Sequence, residues 1–175
     1  MIAFVKIEDS SVDVNIGYTE IAEKIWGFQY SQTPIFVNHD SYGIDSNNGF
    51  FLSFSLFLSD YTKRWIPVEG SWDSTNLMVR QVKKNPDQIV IMTGFEQELL
   101  INQKGFYNLV AYIAKHIGGK IMVGENGDWI DLATFSNKYH EIMTTPFAEA
   151  VDKSIEYGSQ FAPGKEEPGM DRYFY

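Results

Sequence analysis

Residues 105–139 read GFYNLVAYIAKHIGGKIMVGENGDWIDLATFSNKY, and the fold class turns on how this stretch divides. We parse it as helix, Gly-Gly stop, strand, tight turn, short strand and helix. Phe106, Leu109, Val110, Ile113 and Ile117 recur at three- and four-residue steps, so they share one helical face. Asn102 is the expected N-cap, which leaves Gly105 in the first turn. Gly118 or Gly119 takes the left-handed conformation that closes the helix. Lys115 and His116 fall in the last turn, where positive charge suits the helix dipole. Lys120, Ile121, Met122 and Val123 follow as a strand. Asn126-Gly127 is then a two-residue hairpin signal, because both residue types accept positive φ. Trp129 and Ile130 return along residues 121–123. Asp131 caps a further helix whose inner face is Leu132, Phe135, Tyr139 and Ile142.

The same reading extends outward. Residues 2–7 form a first strand. Tyr18, Ile21, Ala22 and Ile25 mark a short helix with Gly27 as its stop. Pro34 precedes a short strand over residues 35–37, and residues 39–49, rich in Asp, Ser, Asn and Gly, read as a loop. Residues 50–58 alternate. Leu52, Phe54, Leu56 and Leu58 form a wholly apolar face opposite Phe51, Ser53, Ser55 and Phe57, which suits a central strand lying on helices. Residues 65–68 form a strand that Pro67 confines to an edge or bulge, and residues 69–76 a polar loop around Trp72. Two strands, 77–82 and 88–93, flank a turn at residues 83–87. Residues 95–101 read as strand. Thr145 and Pro146 open a last helix lined by Phe147, Val151 and Ile155 and ended by Gly158. The sum is an α+β domain over residues 1–160: a mostly antiparallel meander of about five to seven strands with helices packed on one face. Residues 161–175, with Pro, Gly and charge, read as a flexible tail, although Tyr173, Phe174 and Tyr175 suggest that it docks somewhere.

Composition narrows the function classes. The chain has 175 residues, 44% of them hydrophobic and 15% aromatic, which is ample for one core with aromatics left for a surface. The formal net charge is −9, spread along the chain and not gathered in one block. Clustered Lys and Arg that would face phosphates are absent, so nucleic acid and anionic membrane surfaces are not expected partners. A basic protein partner suits the charge. There is no cysteine, which excludes disulfides, thiolate zinc sites and cysteine nucleophiles. Residues 1–6 lack the pattern of a signal peptide, and no apolar run approaches a membrane span, so a cytoplasmic protein is expected.

No catalytic or cofactor motif stands up. His39, His116 and His140 are not spaced as metal ligands, and His116 is better read as a cation at a helix end. Residues 125–131 offer oxygens but lack the ordered frame of a calcium loop; a turn and a helix cap account for the same residues. Gly119-Lys120 lacks the other residues of a phosphate loop, with Ala114 and Ile121 at the positions that would need Gly and Ser or Thr. Glu96 and Glu98 would share a face of a strand and form a carboxylate pair. No metal or cofactor is expected. Exposed aromatics beside acids are the remaining signal, since Trp and Tyr anchor interfaces. Trp72, Asp73, Tyr42, Asp45, Glu125, Asp128 and Trp129 are therefore the candidate partner-binding residues. The competing reading of Trp129 is that it covers one end of the sheet.

The helix over residues 111–117 with its Gly118-Gly119 stop, then Gly127-Asp128-Trp129, then residues 135–139, resembles the closing part of small bacterial immunity proteins of polymorphic toxin systems. It likewise resembles related uncharacterised families. The resemblance covers residues 105–139 only and rests on structural punctuation, so it transfers no functional residue. It implies a cytosolic, acidic inhibitor that plugs the active site of a toxin. The expected function is a non-enzymatic protein-binding module of this inhibitor or immunity type that blocks a basic partner. Two other readings stand beside it: a small-molecule, carbohydrate-binding or phage-related accessory protein with an aromatic-lined groove, and a hydrolase using the carboxylate pair.

Overall fold

The amino-terminal strand ends up inside the sheet, not at its edge. The computed structural model describes residues 1–8, 14–33, 35–65, 74–94 and 98–160. In chain order the elements are β1 (Ile2–Lys6), β2 (Asn15–Gly17), α1 (Tyr18–Trp26), β3 (Phe36–His39), β4 (Gly43–Asp45), β5 (Leu52–Phe57), β6 (Ser74–Val82), β7 (Asn85–Thr93), α2 (Leu100–Ile117), β8 (Ile121–Val123), α3 (Leu132–Lys138), α4 (His140–Thr144) and α5 (Phe147–Gly158). Six strands form one sheet in the order β3-β5-β6-β7-β1-β8, with every neighbouring pair antiparallel. The meander runs through β5, β6 and β7, and β1 fills the place between β7 and β8. A second, two-stranded sheet pairs β2 with β4. The architecture is the α+β class that the hydrophobic pattern indicates.

α2 is the spine of the helical layer. Phe106, Leu109, Val110, Ile113 and Ile117 are all buried on one face, as their spacing requires. Its start differs from expectation. Leu99 is the N-cap, Leu100 and Ile101 are helical where a strand was expected, and Asn102 is buried within the first turn. Residues 95–97 lie outside the described residues. The cap comes from another helix: the Ser154 hydroxyl of α5 accepts the Ile101 N–H at 3.0 Å. A local pattern cannot register a cap supplied 53 residues away. Gly105 consequently sits in the second turn, where a Cβ would collide with the buried indole of Trp26.

The Gly-Gly stop divides its work. Gly118 holds the left-handed conformation, φ 67, and its N–H bonds the Ala114 carbonyl. Gly119 has no positive φ, but a Cβ there would collide with the carbonyl oxygen of Lys6 in β1. The first glycine ends the helix and the second lets β8 approach β1.

The hairpin expected at Asn126-Gly127 does not form. Neither residue has positive φ; Gly124 does, at φ 79, and only Ile130 returns to pair, with Ile121. The loop folds back on its own strand, because a Cβ on Gly127 would meet the Val123 carbonyl oxygen at 2.5 Å. Asp131 caps α3 as expected, accepting the Thr134 N–H at 2.7 Å. Of the face expected below it, Phe135 is buried and Leu132, Tyr139 and Ile142 are half-buried, since the helix breaks at Tyr139 into α3 and α4.

The expected loop at residues 39–49 contains β4, whose three residues are too few to alternate legibly and are defined by pairing with β2. The turn at residues 83–87 narrows to Lys83 and Lys84, and β7 already includes Pro86 and Asp87. Pro86 is tolerated near the strand's start, beside a register shift at Gln81 and Val82. Pro146 is the N-cap of α5 and not its first residue, while Thr145 closes α4. Trp65 is buried. The rest of the expected strand at residues 65–68, residues 69–73 of the expected loop and the tail at 161–175 lie outside the described residues, while residues 74–76 of that loop belong to β6.

The buried side chains of α1, α2, α3 and α5 join Ala3, Val5, Leu52, Phe54, Leu56, Leu77, Val79, Ile89 and Ile91 in one apolar cluster. All the helices that contribute to it therefore lie on one face of the six-stranded sheet. Among the described residues no helix is long and apolar enough to cross a membrane.

Candidate interaction surface

Side chains along a strand alternate between faces, so a strand that buries one set beneath helices must place a second set elsewhere. In β1, Ala3 and Val5 are in the core, and Ile2 and Phe4 point away from it. Met78 and Arg80 do the same in β6, Val90 and Met92 in β7, and Met122 in β8. The register joins these residues. Phe4 lies between Val90 and Met122, Ile2 beside Met92, and Met92 beside Met78. Val90, paired with Phe4 and Arg80, is only 6% exposed yet stands outside the core cluster. The face is thus apolar at its centre, and no helix of the core cluster covers it.

Trp129 extends the patch past β8. The bridge between Ile121 and Ile130 sets Trp129 opposite Met122, on the outer side by alternation. It is half-buried and outside the core cluster. The loop before it leans the same way, since a Cβ on Gly127 would lie 3.4 Å from Met122 Cγ. Glu125 and Asp128 are exposed on this loop. The Asp131 carboxyl behind it is held below its usual range, chiefly by hydrogen bonds from Thr134 and in smaller part by the charge of Lys120. The rims differ in kind. Lys6 and Lys120 are exposed at one end of the patch, where the Lys6 N–H donates to the Lys120 carbonyl at 2.8 Å. Ser53, Ser55 and Asn76 continue the face on its other side as small polar groups.

Size decides what such a patch can do. Four strands at ~4.8 Å spacing and two side-chain rows at ~6.8 Å span a footprint on the order of 300 Å², which is an upper bound on the apolar surface, since its side chains are half-buried or, at Val90, buried. Even that bound is no more than the largest patch on an ordinary monomer. It falls short of the ~800 Å² that each partner contributes to a stable interface. A partner seated here must also engage the rims, and the Trp129 loop is the rim that offers an aromatic anchor.

The seven residues singled out from the sequence are not all brought together. Glu125, Asp128 and Trp129 adjoin the open face. Tyr42 and Asp45 lie around β4, which pairs with β2 and is bonded to the residues just before β5, the Asp45 carbonyl oxygen accepting the Phe50 N–H at 3.0 Å. Tyr42 is 89% exposed, with its ring 6.0 Å from His39, which itself stacks on Tyr18 at 3.7 Å. Asp45 has a structural task, accepting the Asn47 N–H at 2.7 Å. Trp72 and Asp73 lie outside the described residues. The apolar centre itself was missed. Its signal was the near-continuous apolar run of Ile2, Phe4 and Val5 and of Ile89, Val90, Ile91 and Met92, which gives both faces something to bury.

Other chemistry finds little footing. An aromatic-lined concavity of about 590 Å³ lies between the end of α1 and the start of α5, with Phe28, Tyr61 and Phe147 joined by Gln29, Gln32 and Thr33. Glu96 lies outside the described residues, and Glu98 accepts a hydrogen bond from the Tyr157 hydroxyl at 2.8 Å. Among the described residues no group of His, Asp and Glu could hold a metal ion. His116 Nδ1 donates to the Tyr112 carbonyl at 2.8 Å, in keeping with its place at the end of α2. Lys104, 5% exposed, donates to the Met143 carbonyl at 2.9 Å, and burial lowers its pKa. This lysine joins α2 to the end of α4, and its Nζ lies 3.9 Å from where a Cβ on Gly27 would stand. No family model matches the sequence, and neither the curated proteins nor the solved structures contain a match to the chain.

Proposed function

We propose that the chain is a non-enzymatic protein-binding module that seats its partner on the open face of the sheet, with the Trp129 loop as anchor. The observation that carries this reading is the apolar patch of Ile2, Phe4, Met78, Val90, Met92 and Met122, which no helix among the described residues covers and which Trp129 continues. Glu125 and Asp128 beside the tryptophan, and the net charge of −9, favour a partner with basic groups around an apolar contact. An acidic inhibitor of the immunity type, cytoplasmic and directed at a basic toxin domain, is the specific form of this reading. The test is co-expression with a toxin encoded beside the gene. The wild-type chain protects the cell. Met92→Thr and Trp129→Ala, each keeping the fold by circular dichroism, lose protection and binding. Undiminished protection by both variants would overturn the assignment of this face.

The concavity of Phe28, Tyr61 and Phe147 supports a second reading, a small-molecule or carbohydrate-binding accessory protein. A thermal-shift screen separates the two. A sugar or metabolite that raises the melting temperature of wild type but not of Tyr61→Ala favours the groove.

A further inference from the structure

We infer that the concavity at the start of α5 is one half of a longer groove, and that the groove takes a linear, uncharged oligosaccharide. This assignment rests on the small-molecule or carbohydrate reading of the concavity and gives its ligand a class and a path.

The groove is continuous. A second hollow of about 310 Å³ lies beside the first, lined by Thr62, Arg64, Val151 and Asp152. The two hollows share Tyr61 and Ala148. Phe147, Ala148, Val151 and Asp152 are neighbours one turn apart on α5, so a single stripe of that helix walls both. Ala148 is exposed and its side chain is a lone methyl, so α5 puts no bulk at the junction.

Both banks are pinned in place. On one, the Tyr61 and Thr62 N–H groups donate to the Leu58 carbonyl at 3.1 and 2.9 Å, and Arg64 reaches Asp152 of α5 at 2.7 Å. On the other, the Tyr30 N–H donates to Glu23 Oε1 at 2.8 Å and the Gln32 N–H to the Gln29 carbonyl at 3.0 Å. Phe28 and Phe147 are buried with their rings 5.5 Å apart, and the half-buried Tyr61 ring meets Phe147 edge-on at 5.0 Å. A ligand therefore meets walls that need little ordering.

The lining selects the ligand. Its charged side chains, Arg64 and Asp152, are paired with each other, so the groove offers no net charge in a chain of net charge −9. Lys104, behind Gly27, is 5% exposed and not part of the lining. The other groups are aromatic carbon and the amides and hydroxyls of Gln29, Gln32, Thr33, Tyr61 and Thr62. Gln29 and Gln32 are exposed, so their amides are open to a ligand. An amide both donates and accepts, as a sugar hydroxyl does. A sugar ring carries hydroxyls on its rim and apolar C–H groups on its faces, the same mixture as the groove. The ion pair at the far end sets donors beside an acceptor, which matches neighbouring hydroxyls. A wholly apolar ligand would displace water from the amides without replacing its hydrogen bonds.

Isothermal titration of the full chain with maltohexaose, cellohexaose and the hexamer of N-acetylglucosamine, each beside its disaccharide, tests the assignment. At least one hexamer is expected to bind, on the order of tenfold more tightly than its disaccharide, because it spans both hollows. Ala148→Trp, at an exposed position of α5, closes the junction and removes that advantage. Gln32→Ala weakens hexamer binding on the order of tenfold, and it serves if Ala148→Trp fails to fold. Equal affinity for hexamer and disaccharide, or undiminished hexamer binding in Ala148→Trp and Gln32→Ala, overturns the inference. So does tighter binding of the galacturonic acid hexamer, or capture of displayed peptides by a chain that binds none of the sugars. If a single-ring metabolite binds in a Tyr61-dependent way and no hexamer does, the oligosaccharide assignment falls and the small-molecule reading stands. If neither binds, both fall.

Discussion

Gly105 shows how one missing methyl group positions two helices. A Cβ there would strike the Trp26 indole nitrogen and lie 3.2 Å from Leu77 Cδ1. Trp26 is fully buried and packs edge-on to Phe54 at 5.5 Å, so it has no room to retreat. Gly105→Ala is expected to cost ~1–3 kcal/mol by overpacking, although alanine is ordinarily the better helix former. Urea denaturation measures it, and a gain in stability would mean that α1 sits further from α2. Gly118 and Gly119 make a matched pair. Gly118→Ala incurs only left-handed strain, about 1 kcal/mol, because nothing stands within 4 Å of the added carbon. Gly119→Ala drives a carbon into the Lys6 backbone, which cannot swing away as a side chain would, and the loss should be the larger of the two. The sequence shows two glycines after a helix. Which one is strained and which is crowded depends on the position of β1, 113 residues earlier.

At the scale of elements, the ends of helices were harder to read than their faces. Every expected core residue of α2 is buried, because the 3.6-residue period belongs to the helix itself. Its beginning depends on Ser154, which accepts from Ile101 and donates to the Ala150 carbonyl at 2.7 Å. Ser154→Ala leaves a buried N–H without its acceptor, so a loss of ~1–3 kcal/mol is expected, with faster amide exchange at Ile101 than at Ile113. Asp131 contrasts with it, as a cap made within its own turn. Hydrogen bonding from Thr134 lowers its folded pKa. The capping contribution is therefore present above the unfolded carboxylate range and is lost as pH falls through the depressed folded value. Titration should show the Thr134 amide shifting at acid pH in wild type. In Asp131→Asn, where an uncharged side chain still accepts the bond, that acid shift should vanish.

At the scale of the whole molecule the sheet is asymmetric: among the described residues helices bury one face and none covers the other. Two adjacent residues of β7 expose the difference. Ile91 is fully buried in the core, while Met92 is half-buried on the open face. Ile91→Thr should cost ~2–4 kcal/mol by cavity and by a buried hydroxyl. Met92→Thr should cost less than about 1 kcal/mol, since threonine suits a half-exposed strand. Similar losses from denaturant melts of the two variants would mean that the second face is covered as tightly as the first.

Periodicity alone determined the α+β class, the buried face of α2, the strand of Leu52, Phe54 and Leu56, and the cap at Asp131. Each depends on residues within one or two turns or one pleat of each other, so local sequence contains the whole signal. Tertiary structure decided the place of β1 between β7 and β8, the pairing of β2 with β4, the cap supplied by Ser154, and the meeting of Phe4, Met92 and Met122 with Trp129 on one open face. Those outcomes depend on contacts between residues far apart in the chain. Hydrophobicity is non-directional, so it specifies that such residues be covered but not by what.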